Sequence, residues 1–307
     1  MRKVTVFGGS GFLGSHVADA LSQAGFAVTI FDSRPYAHLG EGQRMVIGDI
    51  RCEADVEKAV HGAEAVYNFA GIADLREAHE RPVDTVGINI LGNCVLLEAC
   101  AKAGVKRYVF ASTIYVYSQA GSFYTASKKA CESYIENYQR YRGLDYTILR
   151  YGSLYGSRSN DSNIVHRLIR QALTEGRMTY FGDGEETREY VHVDDAARFS
   201  VEILEPEFAN QNLIIAGHQA IKVRELMEMI SELLGGKIKL EFNAKDGGAP
   251  ANTHYHQTPY SFTPKIGRRL IGRQYIDLGQ GLLRLMDEAS AEAQATKPRR
   301  RAARKRR

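Results

Sequence analysis

The amino-acid sequence predicts an α/β fold, a doubly wound parallel sheet with a smaller C-terminal lobe. Apolar strand-like runs alternate with amphipathic helix-like segments from Lys3 to Arg150, as in repeated βαβ units. A glycine-rich segment lies between the first predicted strand and the first predicted helix. The chain of 307 residues is also long enough for about two domains.

The first half of the chain supplies the elements of the sheet in order. Strands are predicted at 3–7, 26–31, 44–47, 65–69, 107–112 and 146–150, and helices at 53–60, 86–103 and 125–142, after a first helix that ends at Gly25. Because neighbouring parallel strands are joined by crossover helices, we expect helices on both faces of the sheet.

Beyond Tyr151 the alternation is looser. Helices are predicted at 163–176, 194–204 and 223–234, strands at 190–193, 212–216 and 237–242, and a last helix begins at Leu278. We therefore expect the sheet domain to comprise 1–153 with 188–216. A smaller lobe, made of 154–187 with 217–290, would cover the carboxyl edge of the sheet.

The final segment, 291–307, is predicted to be a basic, disordered tail. Eight basic residues and no acidic residue lie between Lys297 and Arg307, and subtracting these eight from the net charge of +4 leaves −4 for the rest of the chain. Such a run repels itself and has no large apolar residue. It could contact a polyanion such as nucleic acid or an anionic membrane surface, and a solvated end with no set partner is the equal alternative.

Other sequence features restrict the class of protein. No stretch approaches the ~20 apolar residues of a membrane-spanning helix, and the N-terminal apolar run leads straight into the glycine-rich segment, unlike a signal peptide. The four cysteines form no C-x-x-C pair and have no histidine at zinc-ligand spacing. We therefore expect reduced thiols, no metal site, no integral membrane contact and a cytoplasmic location.

The glycine-rich segment predicts a dinucleotide site. Glycines at 8, 11 and 14 suit a sharp turn that approaches a ligand closely, and the start of the next helix offers free N–H groups to a pyrophosphate. Asp32 ends the second strand, which completes the pattern. Its carboxylate favours the ribose hydroxyls of NAD over the 2′-phosphate of NADP, although Arg34 keeps NADP open.

Two further strand ends could contact such a cofactor. Asp49 and Ile50 follow the third strand, where the carboxylate would bond the adenine amino group or cap the helix at 53–60. The segment 68–71 ends the fourth strand with the small residues Ala70 and Gly71, which leave room for a cofactor across the sheet edge.

A phenol and an ammonium group lie four residues apart at the start of the helix at 125–142. Tyr124 and Lys128 would share one helix face. The ammonium and the positive nicotinamide ring would lower the phenol pKa from its usual ~10, so that it could take a proton from a hydroxyl as hydride leaves. Ser112 and Thr113 end the fifth strand and could bridge substrate and tyrosine. Taken alone, the Tyr–Lys spacing fits a surface pair and Thr113 fits a helix cap, but the surrounding pattern favours a site.

With these residues in place, the chain resembles the extended short-chain dehydrogenase/reductase family, the NAD-dependent nucleotide-sugar epimerases and dehydratases. The resemblance runs from about residue 3 to about residue 285. Its matching pieces are 8–14, Asp32, 48–50, 68–71, 89–98, 112–113, the Tyr124/Lys128 pair, 150–156, 182–184 and 188–195. It implies a Rossmann fold in which the sheet domain binds NAD and the lobe binds the substrate.

The resemblance also implies roles for individual residues. The catalytic set would be Thr113, Tyr124 and Lys128. The cofactor would be bound by Gly8, Gly11, Phe12, Leu13, Gly14, Asp32, Asp49, Ile50, Phe69, Ala70, Gly71, Asn89, Tyr124, Lys128 and Tyr151, with Asn89 near the cofactor or supporting the lysine through a water. The substrate would be bound by Ser112, Thr113, Ser153, Arg188 and His256, with Arg188 on the diphosphate of a nucleotide sugar.

Several positions depart from the family pattern, and they lie on the substrate side. Ile114 and Tyr115 stand where the 4,6-dehydratases have an Asp-Glu pair, so that dehydration is not expected. Ser153 replaces the family's asparagine, and the stretch 117–124 is short. The C-terminal arginine that often holds the diphosphate is not evident in 253–260. The identity of the substrate therefore stays open.

We expect a nucleotide-sugar epimerase acting at C4. Tyr124 would take the hydroxyl proton as hydride leaves C4, and the keto intermediate would take the hydride back on its other face. The alternatives are a net NAD(P)-dependent oxidoreductase, such as a keto-sugar or hydroxyl dehydrogenase, and a non-catalytic NAD-binding scaffold, against which the intact Tyr124/Lys128 pair argues. Family members commonly dimerise through two helices per subunit, here 86–103 and 125–142, so we expect a homodimer.

Overall fold

The computed structural model describes residues 2–36, 39–118, 120–243, 267–270, 272 and 274–304. Its strands are β1 Lys3–Phe7, β2 Ala27–Asp32, β3 Gln43–Ile47, β4 Ala65–Asn68, β5 Arg107–Thr113, β6 Tyr146–Tyr151, β7 Ser153–Tyr155, β8 Arg177–Phe181, β9 Thr187–His192, β10 Gln211–Ile215, β11 Ala220–Lys222, β12 Lys239–Asn243 and β13 Arg268–Arg269. Its α-helices are α1 Phe12–Gln23, α2 Glu53–Val60, α3 Leu75–Glu80, α4 Pro82–Thr85, α5 Gly92–Ala103, α6 Ser122–Arg142, α7 Ile164–Glu175, α8 Val193–Glu202, α9 Val223–Leu233 and α10 Leu278–Arg304. A π-helical turn, Val86–Leu91, joins α4 to α5, and 3₁₀ turns lie at Ile114–Tyr117 and Pro206–Phe208.

The predicted doubly wound sheet is confirmed. Eight strands lie in the order β13-β10-β6-β5-β4-β1-β2-β3, and each adjacent pair is parallel. From β1 the chain proceeds outward to β2 and β3 and then crosses to β4, β5 and β6 on the other side. The direction of winding reverses between β1 and β4, where the connecting loops diverge and leave a crevice at the carboxyl edge of the sheet.

Each face of the sheet is covered by helices. Val17 and Leu21 of α1 pack with Phe199 of α8 over one face, because strand side chains alternate and Val4 and Val6 point toward that side. The other face carries Phe7, Phe31 and Phe110 beneath α2, α5 and α6. The residues at the strand ends are thus held in place by helices packed on both faces of the sheet.

One helical run, Pro82–Ala103, is long and apolar enough to span a membrane by length and composition alone. The expectation that no segment approaches this composition is wrong for this run. Its residues Leu96, Leu97 and Cys100 are buried against the sheet, and α5 packs on α2, as in the core helix of a soluble domain.

The C-terminal lobe has its own apolar cluster. Leu168 of α7, Met227 of α9 and Leu282 of α10 are buried together beside β8 and β12. The helix α10 continues through 291–304, the segment for which the sequence predicts a disordered tail. The division of the chain into sheet domain, lobe and tail stays a prediction.

Candidate active site

The glycine-rich segment 8–14, called the glycine loop below, joins β1 to α1. It lies at the switch point, where the direction of winding of the sheet reverses. Gly8 has φ 76°, and a Cβ at this position would lie 2.5 Å from the backbone nitrogen of Ala70. A Cβ at Gly14 would lie 2.3 Å from the carbonyl oxygen of Gly8, so α1 begins directly on the loop. The N-cap residue, Gly11, offers no side-chain hydrogen bond. The first N–H groups of α1 therefore lack a side-chain cap, and Phe12, whose ring is 6.0 Å from that of His16, starts the helix.

Asp32 is held against this loop at the end of β2. The backbone N–H of Ser10 donates to one carboxylate oxygen and that of Arg34 to the other, each at 3.1 Å. Ser10 Oγ also donates to the carbonyl of Arg34 at 3.0 Å. The half-buried carboxylate thus has a fixed orientation beside the turn, with lone pairs left for two hydroxyl donors.

Asp49 and Ile50 take different directions after β3. The carboxylate of Asp49 accepts hydrogen bonds from Arg51, with Nη2 at 2.6 Å, and this pairing holds the pKa of the carboxyl below its usual range. The N-cap position of α2 is Cys52, so Asp49 does not cap that helix. Ile50 is buried against Gly92, where a Cβ would lie 2.7 Å from Ile50 Cγ2.

The loop after β4 is fastened by Asn89 of the π-helical turn. Asn89 Oδ1 accepts from the N–H of Ile72 at 2.8 Å, while Nδ2 donates to the Ile72 carbonyl at 3.0 Å and to Ser127 Oγ at 2.9 Å. The amide therefore joins this loop to α6 through Ser127, beside Lys128, by direct bonds. The space at Gly71 belongs to the same contact, since a Cβ there would lie 2.8 Å from Asn89 Oδ1.

Three predicted cofactor residues lie toward the core of the α1/α8 face. Tyr151 is buried, and its hydroxyl forms a 2.6 Å hydrogen bond with Ser200 of α8. Phe69 lies with its ring 6.5 Å from that of Tyr151, and Leu13 packs against the same cluster. The Tyr151 hydroxyl is thus bonded within the core, and Phe69 packs against the same apolar cluster.

Thr113, Tyr124 and Lys128 meet at the carboxyl end of β5. Burial raises the pKa of Tyr124 to about 12, and a hydrogen bond with the Thr113 side chain lowers it in part. Burial lowers the pKa of Lys128 to about 8, while Cys131 and Glu132 oppose that shift. Lys128 Nζ donates to the Ala111 carbonyl at 2.7 Å and lies 5.7 Å from the centre of the Tyr124 ring. A phenol, a hydroxyl and an ammonium group are thus gathered on one sheet edge.

Ser112 does not join this group. Its hydroxyl donates to Glu132 Oε1 at 2.6 Å, on the opposite side of β5 from Thr113. Glu132 in turn binds Arg150, which lies almost fully buried in β6. From the sequence, Arg150 belongs to the matching piece 150–156 but is given no role, and Glu132 is not singled out. The signals of a buried ion pair are the position of Glu132, four residues after Lys128, and the charge of Arg150 within an apolar strand.

The predicted substrate residues lie in and beside the small sheet formed by β7, β9 and β11. Ser153 begins β7 and pairs in register with Tyr190 of β9. Arg188, also in β9, is buried, and its Nη1 donates to the Thr187 carbonyl at 3.1 Å. His256 lies outside the described residues. The structure thus places Ser153 and Arg188 on adjacent strands, beyond the end of β6.

Comparison with known proteins gives the family to which these features correspond. A family model described as the NAD dependent epimerase/dehydratase family matches residues 4–216. The chain is 31% identical over 291 residues to a UDP-glucose 4-epimerase of Azospirillum brasilense, covering 81% of this chain and 82% of that protein. It is 26% identical over 265 residues to a UDP-N-acetyl-alpha-D-glucosaminuronate decarboxylase of Bacillus cytotoxicus, covering 78% and 82%.

A solved structure extends the likeness to nearly the whole chain. The crystal structure of UDP-glucose 4-epimerase from Thermotoga maritima with UDP-glucose matches with a TM-score of 0.80 and 26% identity. The match covers 95% of this chain and 99% of that one. The likeness therefore includes the C-terminal lobe as well as the sheet domain.

Proposed function

This chain belongs to the NAD-dependent epimerase/dehydratase family, and we propose that it is a nucleotide-sugar epimerase that inverts C4 of its substrate. The observation that carries the proposal is the meeting of Tyr124, Thr113 and Lys128 on the sheet edge that also bears the glycine loop. The cofactor is NAD, as in the family as a whole.

The residues at the switch point fit this cofactor. The uncapped start of α1 and the close backbone packing at Gly8 and Gly14 suit a pyrophosphate, and the oriented carboxylate of Asp32 suits the two hydroxyls of the adenosine ribose. Lys128 would bind the nicotinamide ribose. When bound, NAD supplies the acceptor for the hydride of the sugar carbon and the donor that gives it back.

The proton chemistry belongs to Tyr124. Its phenolate takes the proton of the C4 hydroxyl as hydride leaves the same carbon, and Thr113 holds that hydroxyl and the phenol in line. The ammonium of Lys128 lies 5.7 Å from the centre of the Tyr124 ring and would favour the phenolate, because a positive charge near the phenol stabilises its ionised form. After the keto sugar turns over in the site, C4 would take the hydride back on its opposite face while Tyr124 gives the proton back to the C4 oxygen, and the cycle ends with no net oxidation.

The surroundings of Thr113 favour epimerisation over elimination of water. Ile114, the next residue, is apolar and buried, and Tyr115 follows it. No carboxylate pair occupies these two positions to take a proton from C5 and give one to the leaving hydroxyl. Arg188 would hold the diphosphate of the substrate with two of its N–H groups, as guanidinium does well.

The proposal is tested by incubating the purified protein with UDP- and GDP-sugars and following the anomeric protons by NMR. Epimerisation without added NAD(H) is the expected result, because the cycle returns its hydride. A strict need for stoichiometric NAD(P)H would instead establish a net oxidoreductase. Tyr124→Phe should lower kcat by about 10²-fold to 10⁴-fold, whereas Tyr134→Phe, at an exposed position of the same helix, should not. Equal activity in Tyr124→Phe would refute the assignment.

We further propose a homodimer, on the basis of exposed apolar side chains along α4, the π-helical turn and α6, and a cytoplasmic location, on the basis of the four free cysteines. Val83, Val86, Leu91 and Phe123 are exposed there, with Val83 82% accessible. The three elements contact one another, and large apolar side chains exposed on neighbouring elements are typical of an interaction site. Light scattering should give twice the chain mass, and Leu91→Arg should yield the monomer; a monomeric parent protein would contradict the proposal.

A further inference from the structure

A buried ion pair lies directly behind the catalytic residues. Arg150 Nε donates to Glu132 Oε1 and Nη2 to Oε2, each at 2.9 Å, and Arg150 Nη1 donates to the Tyr117 hydroxyl at 2.8 Å. Arg150 is 1% exposed and Glu132 3%. Burying two charges costs free energy that a well-packed apolar pair would not, so stability alone is a weak reason for this arrangement.

The pair is connected to each element that carries catalytic chemistry. Glu132 is one helical turn after Lys128 on α6, on the same face. Its Oε1 also accepts from Ser112, the residue that precedes Thr113 in β5. Arg150 adds the end of β6 and, through Tyr117, the 3₁₀ turn that follows Thr113. One carboxylate therefore fixes the distance between the Thr113 end of β5 and the Lys128 turn of α6.

Glu132 also acts on Lys128 electrostatically. The titratable groups that face the lysine are Tyr124, Cys131 and Glu132 on α6 itself, and the ring of Phe110 and the Ala111 carbonyl face it from β5. Burial raises the pKa of Cys131 to about 12, which leaves the thiol neutral near neutral pH. From β6, the charged residue Arg150 forms an ion pair with Glu132. Among the described residues, Glu132 is thus the negative charge next to Lys128.

We propose that Glu132 is a positioning residue for the reaction, which keeps Lys128 protonated and holds Thr113 and Lys128 in register. The inference rests on the proposed function in one respect, namely that Tyr124 and Lys128 carry the chemistry. Glu132 touches neither substrate nor cofactor and acts through Lys128 and, by way of Ser112, through Thr113.

The first experiment measures the charge effect without any substrate. Lysines labelled at Cε are titrated by ¹³C NMR, and the Lys128 signal is identified by its absence in Lys128→Met. In Glu132→Gln the pKa of Lys128 should fall by on the order of one pH unit, as expected for losing an opposite charge one helical turn away. Glu136→Gln, an exposed position one turn further along α6, is the matched control and should leave it unchanged.

The second experiment separates position from charge. Ser112→Ala removes the hydrogen bond to Glu132 but no charge, so kcat should fall severalfold at unchanged KM while Lys128 keeps its pKa. Glu132→Asp keeps the charge but shortens the side chain. Its Lys128 pKa should therefore lie closer to that of the parent protein than its kcat does. With Glu132→Gln, the alkaline limb of the pH–kcat profile, where Lys128 loses its proton, should move to lower pH.

Glu132→Gln leaves Arg150 buried without a counter-charge and could prevent folding. The charge-neutral double variant Glu132→Gln/Arg150→Met is then titrated instead, and the Lys128 pKa should shift in the same direction by a smaller amount. An unchanged Lys128 pKa in whichever of these proteins folds would overturn the inference. If the Lys128 pKa shifts but the parent protein turns over no nucleotide sugar, the proposed function is refuted and the effect of Glu132 on Lys128 still stands.

Discussion

Adding one methyl group at Gly14 tests how closely α1 must begin on the glycine loop. In Gly14→Ala the new Cβ would lie 2.3 Å from the Gly8 carbonyl oxygen, 2.9 Å from the Gly8 carbonyl carbon and 3.0 Å from Gly9 Cα. All three are backbone atoms, so no side chain can turn away. Ordinary contact begins near 3.4 Å, and the helix start and the loop must therefore separate by about 1 Å.

Two effects of this substitution oppose each other. Alanine is the better helix former by up to about 1 kcal/mol, whereas forcing a methyl group into a packed site costs about 1–3 kcal/mol. The steric term is the larger because the obstacle is backbone. If the strain is relieved by moving the loop out of its cofactor-binding shape, NAD binding should weaken by roughly 5-fold to 100-fold.

Isothermal titration calorimetry with NAD measures this change directly. Gly87→Ala is the matched control, because the nearest atom to its new Cβ is Arg51 Cδ at 4.0 Å, and it should bind NAD as the parent protein does. Equal NAD affinity and equal thermal stability in Gly14→Ala would refute the reasoning, since the loop and α1 would then tolerate separation without consequence.

Other substitutions test the remaining parts of the site. Asp32→Ser should weaken NAD by about 10-fold to 100-fold through the loss of charged hydrogen bonds and reduce the preference over NADP, which competition binding would measure; an unchanged preference would place the ribose elsewhere. Asn89→Ala leaves the buried N–H and C=O of Ile72 without partners and should cost about 2–5 kcal/mol of unfolding free energy by urea denaturation; a loss under 1 kcal/mol would contradict the role given to Asn89. The hydrogen bond from His16 holds the pKa of Asp194 below 3.8, so its stabilising contribution is present above that pH and is lost as pH falls through the lower folded value. Asp194→Asn should therefore lower the melting temperature above pH 4 and have little effect at the most acidic pH; an equal effect at all pH values would exclude this linkage.

The sheet could be predicted because its signals are local. The strands β1 to β6 are short segments rich in apolar residues, helices follow β1, β3, β4 and β5 along the chain, and the short connections leave few alternatives. The strands β7 and β11 have three residues each, too few for a period to be seen, and both are stabilised by pairing with β9. Their formation depends on contacts between segments far apart in sequence.

The candidate site could be predicted as a set of residues but not in its side-chain directions. The glycine loop and the Tyr124/Lys128 spacing are contiguous signals. Ser112 and Thr113 are chemically alike, and the alternation of β5 sends them to opposite faces. Whether Ser112 or Thr113 points into the crevice depends on where Glu132 and α6 pack. No short stretch of the sequence encodes that packing.

The two shifted pKa values define what the resting site can do. Burial raises the pKa of Tyr124 to about 12 and lowers that of Lys128 to about 8, so the fold disfavours either charge when each is considered separately. At neutral pH the phenol therefore keeps its proton, and most of Lys128 keeps its charge, with Glu132 next to it. A base forms here only when enough positive charge surrounds the phenol oxygen to offset its burial. Lys128 supplies one such charge while it is protonated, and the positive ring of oxidised NAD would supply another. Under the proposed mechanism, proton removal from the sugar would thus be tied to the presence of the hydride acceptor, because the same charge that draws hydride from the carbon favours the phenolate.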